Sequence, residues 1–100
     1  MYFYTVMEYE FDAAKSESNK LKHGLDFFEA QKLWQDADAI AIPARAGNEP
    51  RSLLIARLEK KLWTVVYTER EGRIRIISVR RSRTSEEAIY EQTENDSTEP

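Results

Sequence analysis

The sequence predicts an α+β fold: an antiparallel β-sheet meander with two N-terminal helices and one C-terminal helix. Runs rich in β-branched and aromatic residues recur over 37–80 and are separated by short turns. Helix-capping residues begin two segments that precede these runs, and Thr84 with Glu87 repeats the capping-box spacing after them. Because the chain has 100 residues, we expect one domain with one modest core.

The N-terminal part is predicted to form a short strand and a surface helix. Residues 7–11 alternate between apolar and charged side chains, as a half-buried strand does. Asp12 is a candidate N-cap for a helix that ends near His23, and Gly24 supplies the left-handed residue that closes it. Leu21 is the chief large apolar residue of this helix, so we expect the helix to lie on the surface.

A second helix, over 27–36, is predicted to be a core element. Asp26 and Glu29 have the spacing of a capping box at its start. Its apolar side chains recur at helical spacing and form one stripe: Phe27, Ala30, Leu33 and Trp34.

The strands that follow are predicted to form the meander. The first covers 37–43 and ends at Pro43, and a polar loop covers 44–50. The second covers 51–58, and a tight turn at 59–61 leads into the next strand.

Two strands, 62–69 and 73–80, are predicted to form a β-hairpin with a short turn at 70–72. A last helix is expected over 84–93, opened by its capping box. The hairpin formed by 62–69 and 73–80 is the stretch around which the rest of the chain is organised.

The alternation in the second strand of the hairpin contains a conflict. Strict alternation would place on one face Arg73, Arg75, Ile77 and Val79. It would place on the other face Ile74, Ile76 and Arg80. Either both faces of this strand are partly covered, or a β-bulge resets its register.

Charge is distributed unevenly along a chain whose formal net charge is −3. Between positions 70 and 83 a single acid, Glu71, faces six arginines: Arg70, Arg73, Arg75, Arg80, Arg81 and Arg83. From Thr84 onward there is no base, and there are six acids: Glu86, Glu87, Glu91, Glu94, Asp96 and Glu99. Clustered arginines suit planar, bidentate contact with phosphate, so the basic segment predicts a phosphate-binding face.

Composition excludes several classes of site. Because the chain has no cysteine, it has no disulfide, thiolate metal site or cysteine nucleophile. The chain has one histidine and no carboxylate cluster with ligand spacing, which argues against a metal site, and no glycine-rich phosphate loop points to a cofactor. We expect a cytoplasmic protein with no membrane segment, an extension at 1–6, one domain at 7–93 and a disordered acidic tail at 94–100.

Two groups of motifs resemble the BrnT-type ribonuclease toxins in the same order along the chain. The first comprises Tyr9-Glu10-Phe11-Asp12, Lys15, Asn19, Lys22-His23-Gly24, Phe27, Glu29 and Ala30. The second comprises Val65–Arg70, Arg73–Ser78, Arg80-Arg81, Glu86 and Tyr90. The resemblance covers about residues 7–92, and the combination is more specific than any single motif.

The resemblance implies a RelE-like fold and a ribonuclease toxin of a type II toxin-antitoxin module that inhibits translation. It also implies a BrnA-like antitoxin, which dimerises through a ribbon-helix-helix segment, binds operator DNA and neutralises the toxin. We therefore expect an RNA substrate, contact with DNA only through the antitoxin, and a heterotetramer of the two proteins.

The chain departs from the family pattern at three places. Ala56 stands where the family usually has glycine, as does Lys60 or Lys61, and Arg83 stands where threonine is usual. Lys60 and Lys61 lie in a predicted turn and Arg83 lies at a helix start, so these departures concern local geometry.

Several side chains are candidates for cutting RNA without a metal, which requires removing one proton, supplying another and stabilising charge on phosphorus. Arg75 and Arg80, with Arg57 from the neighbouring strand, could hold the scissile phosphate; alternatively they are solvated or pair with glutamates. Glu69 could act as a general base if the fold buries it, whereas Tyr67 is expected in the core.

Lys22 and His23 are further catalytic candidates because they match the family pattern. His23, the only histidine, suits proton transfer near neutral pH, but at a helix end it can instead cap main-chain carbonyls. Lys22 is also expected to bind RNA, together with Arg73 and Arg81.

The alternative function is a noncatalytic module whose basic sheet face binds an acidic peptide or protein segment. Both functions need the arginines, and RNA cleavage in EDTA separates them. A DNA-binding regulator is disfavoured because no helix carries a basic recognition surface.

Overall fold

The computed structural model describes the backbone of residues 8–97 and the side chains of 8–45 and 47–92. The expected extension at 1–6 and the last three residues of the expected tail lie outside the described residues. The elements are β1 (Glu8–Glu10), α1 (Ala13–His23), α2 (Phe27–Ala30), a 3₁₀ helix (Gln31–Gln35), β2 (Ile40–Ala46), β3 (Glu49–Leu58), β4 (Lys61–Arg70), β5 (Arg73–Arg81) and α3 (Thr84–Ser97).

Five strands form one sheet in the order β1-β5-β4-β3-β2. Strands β2 to β5 are an antiparallel meander, as predicted, because each is joined to the next by a tight turn. Strand β1 adds a short parallel edge, with Glu8 opposite Arg73 and Glu10 opposite Arg75. The α+β fold class with two N-terminal helices and one C-terminal helix is confirmed.

Helix α1 has the predicted caps, and the few side chains that it buries are polar. The Asp12 carboxylate accepts a hydrogen bond from the Lys15 N–H at 3.0 Å, and Gly24 adopts φ 90°. Leu21, however, is 89% exposed, whereas Ser16 and Asn19 are buried. The inner face of α1 is therefore polar and is held by hydrogen bonds rather than by an apolar stripe.

Asn19 fixes α1 beside the part of β5 that β1 does not cover. Its side-chain Nδ2 donates to the carbonyls of Val79 and Leu25 at 2.7 and 2.8 Å. Its Oδ1 accepts from the Val79 N–H at 3.3 Å. The amide thus satisfies main-chain groups on an open strand edge, as a neighbouring strand would.

The predicted second helix is present, but it is an α-helix only as far as Ala30. Asp26 and Glu29 form the predicted capping box, and the helix then tightens to 3₁₀ geometry until Gln35. The core between these helices and the sheet contains Leu25, Phe27, Ala30, Leu33, Leu54, Ala56, Trp63, Val65, Tyr67, Ile74, Ile76 and Val79. Trp34 is half-buried and packs against this core, as does Tyr9.

The predicted boundaries of β2 were wrong. The strand runs through Pro43 to Ala46, where a strand end and a polar loop at 44–50 were expected. Because β2 is an edge strand of the sheet, Pro43, which has no N–H, can point its nitrogen away from the hydrogen bonds to β3. A two-residue turn at Gly47-Asn48 joins it to β3.

A bulge in β5 resolves the conflict in its alternation. Val66 pairs with Ser78 and Tyr67 pairs with Ile76, so Ile77 has no partner across the ladder. After Ile77 the alternation resets, and Val79 joins the core that Ile76 occupies. Arg80 therefore lies on the opposite face, where α3 packs.

Helix α3 covers part of this second face. Tyr90 is 2% exposed and packs with Ile55 and Leu62. The helix continues to Ser97, past the predicted end near Thr93. Within residues 8–97, no helix has the length and apolarity needed to cross a membrane.

The β3–β4 turn contains a strained residue that yields a stability prediction. Glu59 and Lys60 form the two-residue turn with φ of 51° and 72°. We expect Lys60→Gly to raise the free energy of unfolding by about 0.5–1 kcal/mol, because glycine adopts positive φ without steric cost. Thermal and urea unfolding measure this. Lys61→Gly is the control: Lys61 lies in β4, so this change should destabilise, and an equal gain from both variants would contradict the strain at Lys60.

Candidate functional site

Arg80 forms a bidentate ion pair with Glu86. Its Nη1 and Nη2 donate to the two carboxylate oxygens of Glu86 at 2.8 and 2.9 Å. The same carboxylate accepts from the Thr64 hydroxyl at 3.0 Å and from the main-chain N–H of Arg83 at 2.8 Å. Glu86 is only 7% exposed, so this network ties β5 and β4 to the first turn of α3.

The electrostatics of this network strongly favour the charged forms. The hydrogen bonds from Arg80 lower the pKa of Glu86 to about 2, against the opposing effect of burial. The same hydrogen bonds raise the pKa of Arg80. The guanidinium is thus neutralised by a carboxylate of its own chain, which favours a structural role for Arg80; its contact with RNA stays a prediction.

Arg57 lies at a second contact that holds α3. Its guanidinium carbon is 5.4 Å from the centre of the Tyr90 ring. The main-chain N–H of Arg57 donates to Asp36 Oδ2 at 2.8 Å, and the Tyr90 hydroxyl donates to the same oxygen at 2.9 Å. Burial, followed by the hydrogen bond to Asp36, raises the pKa of Tyr90 to about 12.

Asp36 is the acceptor at the centre of this contact. Burial alone would raise its pKa, but hydrogen bonds from the Arg57 and Asp38 N–H groups and from Tyr90 together lower it. Asp36 is thus ionised at neutral pH and orders the connection between the 3₁₀ helix, β3 and α3.

Arg73 and Arg75 pair loosely with β1. Arg73 Nε lies 3.1 Å from Glu8 Oε2, and Arg75 Nη1 lies 3.7 Å from Glu10 Oε1. All four side chains are more than a third exposed, so these pairs contribute little stability and leave the guanidinium groups open to a ligand.

The predicted catalytic residues do not line one cleft. Arg75 and Arg80 of β5 pair with Thr68 and Thr64 of β4. Because these two threonines are four residues apart on their strand, the two arginines are separated by roughly 13 Å. Arg57 lies on β3 under α3, and Glu69 is exposed rather than buried. Glu69 was predicted to act as a general base only if the fold buried it, and the fold leaves it exposed.

Three clefts instead follow α1 and β5. The helix-end cleft, of about 330 Å³, is lined by Lys20, His23, Gly24, Leu25, Glu29, Leu58, Glu59, Lys61, Trp63 and Arg81. The flank cleft, of about 230 Å³, is lined by Lys15, Ser18, Asn19, Lys22, His23, Phe27, Ile77 and Ser78. The hairpin cleft, of about 260 Å³, is lined by Lys15, Glu49, Pro50, Arg51, Thr68, Glu69, Arg70, Arg75 and Ile77.

These clefts adjoin one another, because they share lining residues. His23 lines both the helix-end and the flank clefts. Lys15 and Ile77 line both the flank and the hairpin clefts. The result is a basic groove along α1 and β5, and the bulged residue Ile77 lies in it.

The groove collects part of the predicted site and adds residues that sequence reasoning missed. Predicted residues in it are Lys22, His23, Glu69, Arg75 and Arg81. Added residues are Lys15, Arg51, Lys61 and Trp63. Lys15 and Lys22 are seven positions apart on α1 and so share a face, a signal that was present in the sequence.

The helix-end cleft combines a cation held on an aromatic ring with the only histidine. The guanidinium carbon of Arg81 is 5.6 Å from the centre of the Trp63 ring, and its Nε donates to the Leu62 carbonyl at 3.3 Å. His23 is exposed at the end of α1. Lys20 in the same cleft pairs with Glu29 at 2.8 Å, and the other Lys and Arg side chains that line the cleft are Lys61 and Arg81.

This arrangement can hold an anion and transfer a proton. Cations on two sides of His23, with Lys22 in one cleft and Arg81 in the other, would attract a phosphodiester to the imidazole. Among the described side chains, those of 8–45 and 47–92, no three from His, Asp or Glu are grouped so that they could hold a metal ion.

A family model described as the ribonuclease toxin BrnT of type II toxin-antitoxin systems matches residues 11–86. The chain belongs to the BrnT family. As a BrnT-family protein it is a ribonuclease toxin, and a toxin of this type has an antitoxin as its partner. The matched region contains every residue that lines the three clefts, and it ends at Glu86. No curated protein matches the chain.

Proposed function

We propose that this BrnT-family protein is a metal-independent endoribonuclease that inhibits translation, and that its reaction centre surrounds His23, where the helix-end and flank clefts meet. The observation that carries this proposal is that the only histidine lines both clefts, with Lys22 on one side and Arg81 on the other. The proposed reaction uses no group that the chain itself does not supply.

In this reaction the ribose 2′-oxygen attacks the adjacent phosphorus while the bond from phosphorus to the 5′-oxygen breaks. Neutral His23 accepts the proton of the 2′-hydroxyl. The guanidinium of Arg81 stabilises the charge that develops on the phosphoryl oxygens, and the ammonium of Lys22 supplies a proton to the departing 5′-oxygen. The products are a 2′,3′-cyclic phosphate and a free 5′-hydroxyl.

Trp63 supports the placement of Arg81 in this reaction. The indole holds the guanidinium by a cation–π contact, and the Leu62 carbonyl accepts from its Nε. A cation whose position is fixed before substrate arrives loses less entropy on binding phosphate.

The experiment is incubation of purified protein with RNA in EDTA, with the new ends identified chemically. Cleavage that leaves 2′,3′-cyclic phosphates supports the proposal. Intact RNA, together with binding of an acidic peptide to the same protein, would instead support the noncatalytic alternative. Cleavage that stops in EDTA and returns on addition of Mg²⁺ would contradict metal independence.

We further propose a RelE-like fold assignment, a cytoplasmic location and a BrnA-like antitoxin that dimerises, contacts DNA and assembles with the toxin as a heterotetramer. Membership in a type II toxin family supports the antitoxin partner. The antiparallel meander with helices on both faces supports the fold assignment. Light scattering of the purified complex tests the assembly, since the expected mass corresponds to two toxins and two antitoxins.

A further inference from the structure

The hairpin cleft contains an arginine, Arg51, whose hydrogen-bond donors are only partly paired. Arg51 Nε is buried and, within the described side chains, has no hydrogen-bond acceptor. Its Nη2 reaches Glu49 at 3.2 Å, so only part of the guanidinium is satisfied. Buried donors are almost always paired, and an anionic ligand in the cleft would supply the missing acceptor.

The same cleft gathers cations from four elements. Lys15 comes from α1, Arg51 from β3, Arg70 from the end of β4 and Arg75 from β5. Two carboxylates, Glu49 and Glu69, also line it, so four positive minus two negative charges leave the lining at +2. Arginine forks that converge on a small cleft match the geometry of phosphate.

The hairpin cleft lies too far from His23 to hold the phosphate that is cut. Lys15 and His23 are eight residues apart on α1, which corresponds to about 12 Å. Stacked nucleotides advance by about 3.4 Å each, and an extended strand advances further, so this distance corresponds to at most about three or four nucleotides.

We propose that the hairpin cleft is a second phosphate site, which holds the RNA backbone more than one and at most about four nucleotides from the bond to be cleaved and thereby sets a minimum substrate length. This inference rests on the proposed reaction centre at His23. A trinucleotide is too short to occupy both places, whereas a decanucleotide can occupy them together.

The kinetic test compares a decanucleotide with a trinucleotide for Arg51→Gln and Arg70→Ala. Both residues line only the hairpin cleft among the three, and Arg70 is exposed at a strand end, where truncation leaves the core intact. We expect KM for the decanucleotide to rise about tenfold in each variant, and the salt dependence of binding to weaken. Cleavage of the trinucleotide should change less than twofold. Equal effects on both lengths, or a loss of kcat alone, would overturn the second site.

A binding experiment keeps this inference separate from the proposed reaction. The NMR signal of the Arg51 Nε–H is followed in His23→Ala protein during titration with a decanucleotide, inorganic phosphate or a glutamate-rich peptide. We expect a saturable shift with the decanucleotide at much lower concentration than with phosphate. A tighter response to the peptide would overturn the RNA site in favour of protein docking, and no shift with the decanucleotide would overturn it outright. Failure of RNA cleavage by the wild-type protein would count against the reaction centre alone.

Discussion

Replacing Glu86 with glutamine is expected to lower the free energy of unfolding by about 3 kcal/mol at neutral pH. The folded pKa of Glu86 is about 2 and its ordinary value is 4.5, and each unit of difference corresponds to about 1.4 kcal/mol. The main source of this cost is Arg80, which the neutral amide leaves half-buried without a counter-charge. Urea unfolding measures the change, and Glu91→Gln, on an exposed position of the same helix, is the matched control.

The same substitution is expected to remove much of the acid sensitivity. Because the pKa of Glu86 is depressed in the folded state, its stabilisation is complete above about pH 4.5 and disappears as the pH falls toward 2. Wild-type stability should therefore decline across this window, and the Glu86→Gln variant should decline less. If the free energy of unfolding of the variant lies within about 0.5 kcal/mol of the wild-type value, and if its stability declines with acid as that of wild type does, the ion pair does not hold α3.

Replacing His23 with alanine is expected to reduce the rate of RNA cleavage by about 10²-fold or more, the usual effect of removing a general base. His23 is exposed at the end of α1, so its removal should leave the unfolding curve nearly unchanged. The substitution should lower kcat strongly and change KM little, because proton transfer occurs only in the transition state.

The control for His23→Ala is Lys32→Ala. Lys32 is an exposed residue of the 3₁₀ helix and lies outside the basic groove. Its removal lowers the positive charge of the protein without touching the proposed reaction centre, so activity should stay within about twofold of wild type, as for most surface changes. Equal activity of the His23 and Lys32 variants would exclude His23 from proton transfer.

The local features of the fold were predictable from sequence because their causes are local. The capping residues Asp12 and Asp26 and the turn at Gly72 each act within a few positions, and all three are present as predicted. The run through Pro43 was not predictable, because a strand tolerates proline only at an edge of the sheet, and edge status depends on the order of distant strands.

The candidate site was harder to predict because charge alone does not show which partner a side chain takes. The sequence left open whether Arg80 holds phosphate, is solvated or pairs with a glutamate, and the fold pairs it with Glu86. The bulge at Ile77 was one of two alternatives, and only the register with β4 decides it. Asn19, not Leu21, faces inward because it satisfies the open edge of β5.

The most direct measurement is the single-turnover rate of RNA cleavage, in EDTA, by the Arg80→Met, Glu86→Leu double variant. Apolar residues of similar size can replace a buried ion pair without loss of stability. If catalysis depends on the groove at His23 and the ion pair only holds α3, the rate should stay within about threefold of wild type, because no group near the reaction is lost. A loss of about 10²-fold or more, with an unchanged unfolding curve, would place Arg80 in the reaction and contradict a reaction centre at His23.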